Sequence, residues 1–192
     1  MKAILMSIHS DPLINILNED KLRELRKKFP KDYRGWIYLY CCKNGKPVFI
    51  PWEFEVEPQE DGTLKALTDF EKGNGKVVAR FYCDNVDEYI HGINCDRLEQ
   101  SDYEDFVKDK VCELSCLSED ELYSYASDLA FSSIHITRLE VFEKPKALSE
   151  FKTRYYPQFA GMVKNETHYE LRPVIRAPQS WQYIEVESSL WE

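Results

Sequence analysis

Apolar residues in this chain fall into short runs of period two, separated by polar stretches, and few windows carry helical spacing. Residues 2–8 are nearly all apolar and predict a first strand. From Asp11 the spacing changes. Leu13, Ile14, Ile16 and Leu17 form a helical face, with Asp11 placed to cap it and Pro12 at its first position. The face falls out of phase at Leu22. The helix is therefore predicted to end near Asn18, a residue that tolerates the left-handed conformation common at helix ends. Gly35 to Cys42 alternates again, with Trp36, Tyr38, Tyr40 and Cys42 on one face and Ile37, Leu39 and Cys41 on the other. Lys76–Cys83, Ser133–Phe142 and Gln179–Val186 predict further strands, and Asn44-Gly45 a turn.

The intervening stretches are less regular. Val48 to Ile50 and Phe54 to Val56 predict short extended pieces, interrupted by Pro51. Residues 57–75 predict a surface excursion with a helical turn around Leu64 to Phe70. Residues 101–113 predict an acidic helix with Tyr103, Phe106, Val107 and Val111 inward. Ser118 and Glu121 have capping-box spacing and should open a helix through Leu122, Tyr125, Ala126 and Leu129. Leu148 to Phe151 predicts one helical turn, and residues 152–177 a long irregular loop of the kind that often carries function. Short strands, with helices gathered in the first and middle thirds, predict an α+β fold: a mixed sheet curled into a small barrel with flanking helices.

Between the first helix and the Gly35 strand lies a charged run, Lys21-Leu22-Arg23-Glu24-Leu25-Arg26-Lys27. As a helix it would bury Leu22 and Leu25. As a strand it would set Leu22, Glu24 and Arg26 on one side and Lys21, Arg23 and Leu25 on the other. The pattern alone leaves both readings open.

Composition narrows the class. At 192 residues, 43% hydrophobic and 14% aromatic, the chain can form one substantial core. No apolar run approaches the roughly 18 residues of a membrane span, and the first strand is too short for a signal peptide, so the expected compartment is the cytoplasm. The net charge of −9 argues against a generic nucleic-acid binder, but the charge is unevenly spread. Residues 19–46 carry nine Lys/Arg against four Asp/Glu, residues 143–181 seven against four, and residues 53–128 seven against twenty-one. Two basic segments meeting in the fold would make one positive face. Cys41, Cys42, Cys83, Cys95, Cys112 and Cys116 lack zinc-site spacing and read as free thiols of a reducing compartment. No metal and no cofactor is expected. His135 is the best-placed histidine.

Several motifs resemble those of ASCH domains, members of the PUA-like superfamily. The family signature is roughly Gly-x-Lys-x-x-Glu-x-Arg. Lys21, Glu24 and Arg26 fit it, while Glu19 stands at the glycine position. Arg176-Ala177-Pro178-Gln179-Ser180-Trp181 resembles the closing strand of a phage and bacterial subgroup. Ile134-His135-Ile136-Thr137 resembles its Trp-His-Ile-Ser strand, with Ile134 in place of tryptophan, and Glu143 to Phe151 resembles its Lys-Pro-x-x-Leu-Ser-Glu-Phe segment. Gly75 to Ala79 is similar to its central strand. These motifs occur in family order and cover most of the chain. The resemblance favours the strand reading of the charged run. It implies one PUA-like domain over 1–192, with a surface insertion at 57–75 and a long loop at 152–177.

The function so implied is binding of RNA or a modified nucleotide in a basic cleft. Lys21, Arg26 and Arg176 would take phosphate. Glu24 would orient Arg26 or accept from a base amino group. Tyr40 and Trp181 would offer aromatic faces, and Ser180 and His135 hydrogen bonds. Some relatives are hydrolases of acylated cytidine or RNA, which makes hydrolysis the alternative. Their lysine, threonine and glutamate set is incomplete here, because Glu24 stands at the threonine position, and the reading leans away from an enzyme. A second alternative is a phage–host interaction module that engages a protein through acidic residues 53–128. No membrane partner is expected.

Overall fold

The computed structural model describes residues 1–89, 110–126, 131–156 and 169–186. The chain runs through β1 (Lys2–Ile8), α1 (Ser10–Leu17), β2 (Arg23–Arg26), β3 (Gly35–Cys41), β4 (Phe49–Ile50), β5 (Val56–Pro58), β6 (Leu64–Ala66), β7 (Glu71–Lys72), β8 (Val77–Cys83) and β9 (Val86–Tyr89). A helical stretch at 110–115, here α2, precedes α3 (Glu119–Ala126). Then follow β10 (Phe131–His135), β11 (Thr137–Lys146), a 3₁₀ turn at Leu148–Glu150, β12 (Lys152–Tyr155), β13 (Glu170–Pro173) and β14 (Trp181–Glu185). Strands dominate. The α+β class holds, and no helix among the described residues is long and apolar enough to cross a membrane.

A seven-stranded sheet has the order β11-β8-β3-β1-β14-β12-β13. It keeps two free edges, so the predicted barrel does not close among the described residues. β1 pairs in parallel with β3 and antiparallel with β14. A parallel neighbour needs a crossover, and α1 and β2 lie in the connection from β1 to β3. A three-stranded sheet has the order β2-β10-β9, and β4-β7 and β5-β6 form two-stranded pairs.

The contacts divide the chain into two compact units: Met1–Ser10, Trp36–Arg80 and Glu140–Glu192 form the first, Asp11–Gly35 and Phe81–Leu139 the second. In the first, alternation along three strands feeds one core. Ala3 and Leu5, Tyr38 and Tyr40, and Ile184 and Val186 are buried there with Val77, Phe151 and Val174. In the second, Leu25, Val111, Leu122 and Phe131 pack together, with Tyr89 stacked on Phe131 at 5.2 Å.

Local rules explain most of the elements. The Ser118–Glu121 capping box forms: the Ser118 amide donates to Glu121 Oε2 at 2.8 Å, and Ser118 Oγ accepts from the Glu121 amide at 3.3 Å. Other expectations change. α1 opens at Ser10, so Asp11 lies in its first turn, where a carboxylate suits the helix dipole, and is not its cap. The left-handed residue after the helix is Glu19, at φ 61°, one position beyond Asn18. Leu64 to Ala66 is a strand and not a helical turn, because it pairs with β5. The described residues of 152–177 depart from the expected irregular loop: β12 and β13 pair, with Lys152 opposite Pro173 and Tyr155 opposite Glu170. Ser133–Phe142 splits into β10 and β11 at Ile136, whose amide donates to the Leu22 carbonyl. Of the acidic helix predicted over 101–113, Tyr103, Phe106 and Val107 lie outside the described residues, while Val111 is buried.

Candidate functional site

The charged run is extended. β2 pairs antiparallel with β10, with Arg26 opposite Ser132, Leu25 opposite Ser133, Glu24 opposite Ile134 and Arg23 opposite His135. β9 flanks β10 on its other side, with Val86 opposite Ile134 and Asp87 opposite Ser133. Opposed residues share a face and successive residues alternate. Glu24 and Arg26 therefore lie on one face with Ile134 and Val86. Arg23, Leu25, His135 and Asp87 lie on the other. The strand wins over the helix because β10 takes its backbone groups, while Leu25 reaches the core of the second unit.

On the first face Glu24 holds two cations. Its Oε1 is 2.9 Å from Arg26 Nη2 and its Oε2 is 3.1 Å from Lys21 Nζ. Lys21 and Glu24 are each only 5% exposed. The ammonium stands at ion-pair distance from Oε2, yet that oxygen accepts no hydrogen bond of good geometry. The group carries two positive charges against one negative. Buried charge is costly unless matched, and Glu24 is placed between the two cations. Arg26 is the more open of the two cations, its side chain 16% exposed against 7% for Lys21.

The opposite face holds a separate network that the sequence did not reveal. His135 Nε2 is 2.7 Å from Asp87 Oδ2, and Nδ1 is 3.4 Å from Asp84 Oδ1. Asn85 Nδ2 donates to Asp87 Oδ1 at 2.7 Å, and Arg34 donates to Asn85 Oδ1. Arg23 Nη1 lies 3.6 Å from Asp87 Oδ2, too far for a good hydrogen bond. His135 thus has a carboxylate near each ring nitrogen, Asp87 within hydrogen-bond reach and Asp84 farther off. The signal for this network was weak in sequence, because Asp84 and Asn85 form a short polar link after β8 and Asp87 is one of two acidic residues on the short strand β9.

The remaining predicted site residues belong to the first unit. In β1 and its neighbours, Ser7 is opposite Tyr40, Leu5 opposite Gln182 and Met6 opposite Trp181. Tyr40 and Gln182 thus share the core face, and Trp181 points the other way, edge-on to Tyr183 with ring centroids 5.5 Å apart. Tyr40 is 4% exposed, and burial raises the pKa of its hydroxyl. It is a core residue in this structure. Ser180 is half-buried, and its carbonyl accepts from the Ser7 amide at 2.9 Å. Arg176 is exposed. The structure therefore joins Lys21, Glu24 and Arg26 in one cluster. It sets His135 on the reverse of that sheet, and Tyr40 and Trp181 on opposite faces of another.

Sequence reading also missed Arg80. It is 8% exposed on β8, with Nε 2.6 Å from Glu140 Oε2, Nη1 3.2 Å from the Tyr38 hydroxyl, and its guanidinium 4.2 Å over the Trp36 ring. Burial raises the Tyr38 pKa, and the bond from Arg80 opposes that shift. This is a structural clamp. It shows how a lone arginine in an apolar strand is satisfied. Among the described residues no group of His, Cys, Asp and Glu is arranged to hold a metal.

No family model matches the sequence, and neither does any curated protein. A solved structure does match: a mutant of ZmASCH from Zymomonas mobilis superposes with a TM-score of 0.53 at 12% identity, over 96% of this chain and 91% of that one. The fold is ASCH-like. At this identity the likeness concerns the fold, and it extends over nearly the whole of both chains. The ASCH-like fold gives the β2 charges a place in a known architecture, but what they bind has to be argued from their own chemistry.

Proposed function

We propose that this protein binds RNA or a modified nucleotide, as an ASCH-like protein of the phage and bacterial type, and that Lys21 and Arg26 on the β2 segment take its phosphate. The observation that carries this reading is the cluster itself, two cations set on either side of one buried carboxylate. Glu24 keeps both cations in place and fixes the direction of Arg26, whose planar guanidinium is the kind of group that matches a phosphate. Affinity of this kind goes to phosphate and needs no base readout. The ASCH-like fold supports an RNA-binding reading at the level of the fold, and the basic bias of residues 19–46 agrees with it.

The reading is tested by a Lys21→Ala/Arg26→Ala double variant, folded by circular dichroism, against a short single-stranded RNA over a range of salt. Loss of two phosphate contacts should weaken binding and make the slope of log affinity against log salt shallower by about 1.4. Unchanged affinity and slope would remove this site from consideration. Hydrolysis has less to stand on. Glu24 at the threonine position has each oxygen beside a cation, and His135 has a carboxylate at both nitrogens.

A further inference from the structure

Beyond the charged strand, the first unit carries an arm whose chemistry is the reverse. β5 and β6 form a hairpin with Val56 opposite Ala66, Glu57 opposite Lys65 and Pro58 opposite Leu64. One face of the hairpin is therefore Val56, Pro58, Leu64 and Ala66, and the other presents Glu57 and Lys65. The Leu67 amide donates to the Glu55 carbonyl at 3.0 Å, which continues the pairing and brings Phe54 onto the apolar face. Phe54 packs edge-on against Phe70 at 4.7 Å. Most of this face is open: Leu64 is 66% exposed, Phe54 49%, Val56 43% and Phe70 39%, with Ala66 half-buried. A two-stranded hairpin is marginal in water without something against its apolar side. A contiguous exposed apolar face marks an interaction surface.

Charge selects the occupant. Residues 49–72 hold seven Asp and Glu against two Lys. Glu71 is taken by Lys76 at 2.9 Å, which leaves most of the carboxylates open to a partner. Nucleic acid and anionic lipid would be repelled. A second copy of the same arm would set like charges against each other, which disfavours self-pairing. We propose that the apolar face of the β5–β6 hairpin is a docking surface for a cationic, extended segment of a protein partner. Its alternate apolar side chains would lie on Phe54, Val56 and Leu64, and its Lys or Arg side chains would meet the surrounding carboxylates. Period-two spacing on both sides makes an extended segment laid across the face the matching shape.

The test uses the intact chain and two blocked synthetic peptides, one alternating Lys and Val, the other alternating Glu and Val. Amide shifts of residues 54–66 are followed by NMR. The Lys–Val peptide should move them saturably, and the Glu–Val peptide should bind about tenfold more weakly or worse. Val56→Thr/Leu64→Thr, which keeps strand propensity, should abolish the shifts while the β1 and β3 amides stay in place. Glu53→Gln/Glu60→Gln leaves the apolar face intact and should weaken only the Lys–Val peptide. Equal binding of the two peptides, binding that survives the apolar variant, or no binding would overturn the proposal. So would sedimentation showing self-association that the apolar variant removes, since the occupant would then be a second copy.

Discussion

Glu19 sits where the ASCH signature has glycine, and its backbone shows why glycine suits the position. At φ 61° it lies in the left-handed region, just past the end of α1, with its amide donating to the Ile16 carbonyl at 3.0 Å. The Lys21 amide then reaches back to the Asn15 carbonyl at 3.0 Å, so this reversal delivers Lys21 to its place beside Glu24. A residue with a Cβ loses about 1–2 kcal/mol in that conformation. Glycine avoids the loss, but its freer unfolded chain returns about 0.5–1 kcal/mol of it. Glu19→Gly should therefore stabilise the protein by about 0.5–1 kcal/mol. For a chain of this size that raises Tm by about 1–4 °C. The side chain is exposed, so its loss should cost little in packing. The control is Glu19→Ala, which removes the same side chain and keeps the strain. Thermal and urea unfolding, monitored by circular dichroism, compare the three proteins. A glycine variant no more stable than the alanine variant would refute the argument from backbone strain.

Glu24→Gln takes the carboxylate away from buried Lys21 and should lose about 3–5 kcal/mol, read as a lower urea midpoint. Replacing all three residues with Met should cost less than Glu24→Met alone, because it leaves no orphaned charge. Cys41 and Cys83 have thiol pKa values pushed up by burial from 9.0 to about 11. The folded state then favours the protonated thiol. Its contribution to stability is whole below pH 9 and is lost as the pH rises through about 11. Urea midpoints should fall across that window, less steeply in Cys41→Ala/Cys83→Ala. At neutral pH both thiols should resist iodoacetamide until the protein unfolds.

Local patterns were the legible part of this protein. A continuous apolar run located β1, period-two runs located β3, β8 and β14, and a serine and a glutamate three apart predicted the α3 cap. These features depend on neighbours in the chain, and so they can be read from the chain. The charged run was different. Its hydrophobic spacing suited helix and strand alike, and only pairing with β10, more than a hundred residues later, made it a strand. Pairing also sorted the candidate site. A one-residue step along a strand changes the face, so His135 fell on the reverse of Glu24 and Trp181 on the reverse of Tyr40, although their motifs had suggested one cleft. The carboxylates around His135 and the clamp on Arg80 have no local signature, because their partners come from other strands. Amino-acid order determined which segments extend or coil, while register across the sheets decided which side chains share a surface.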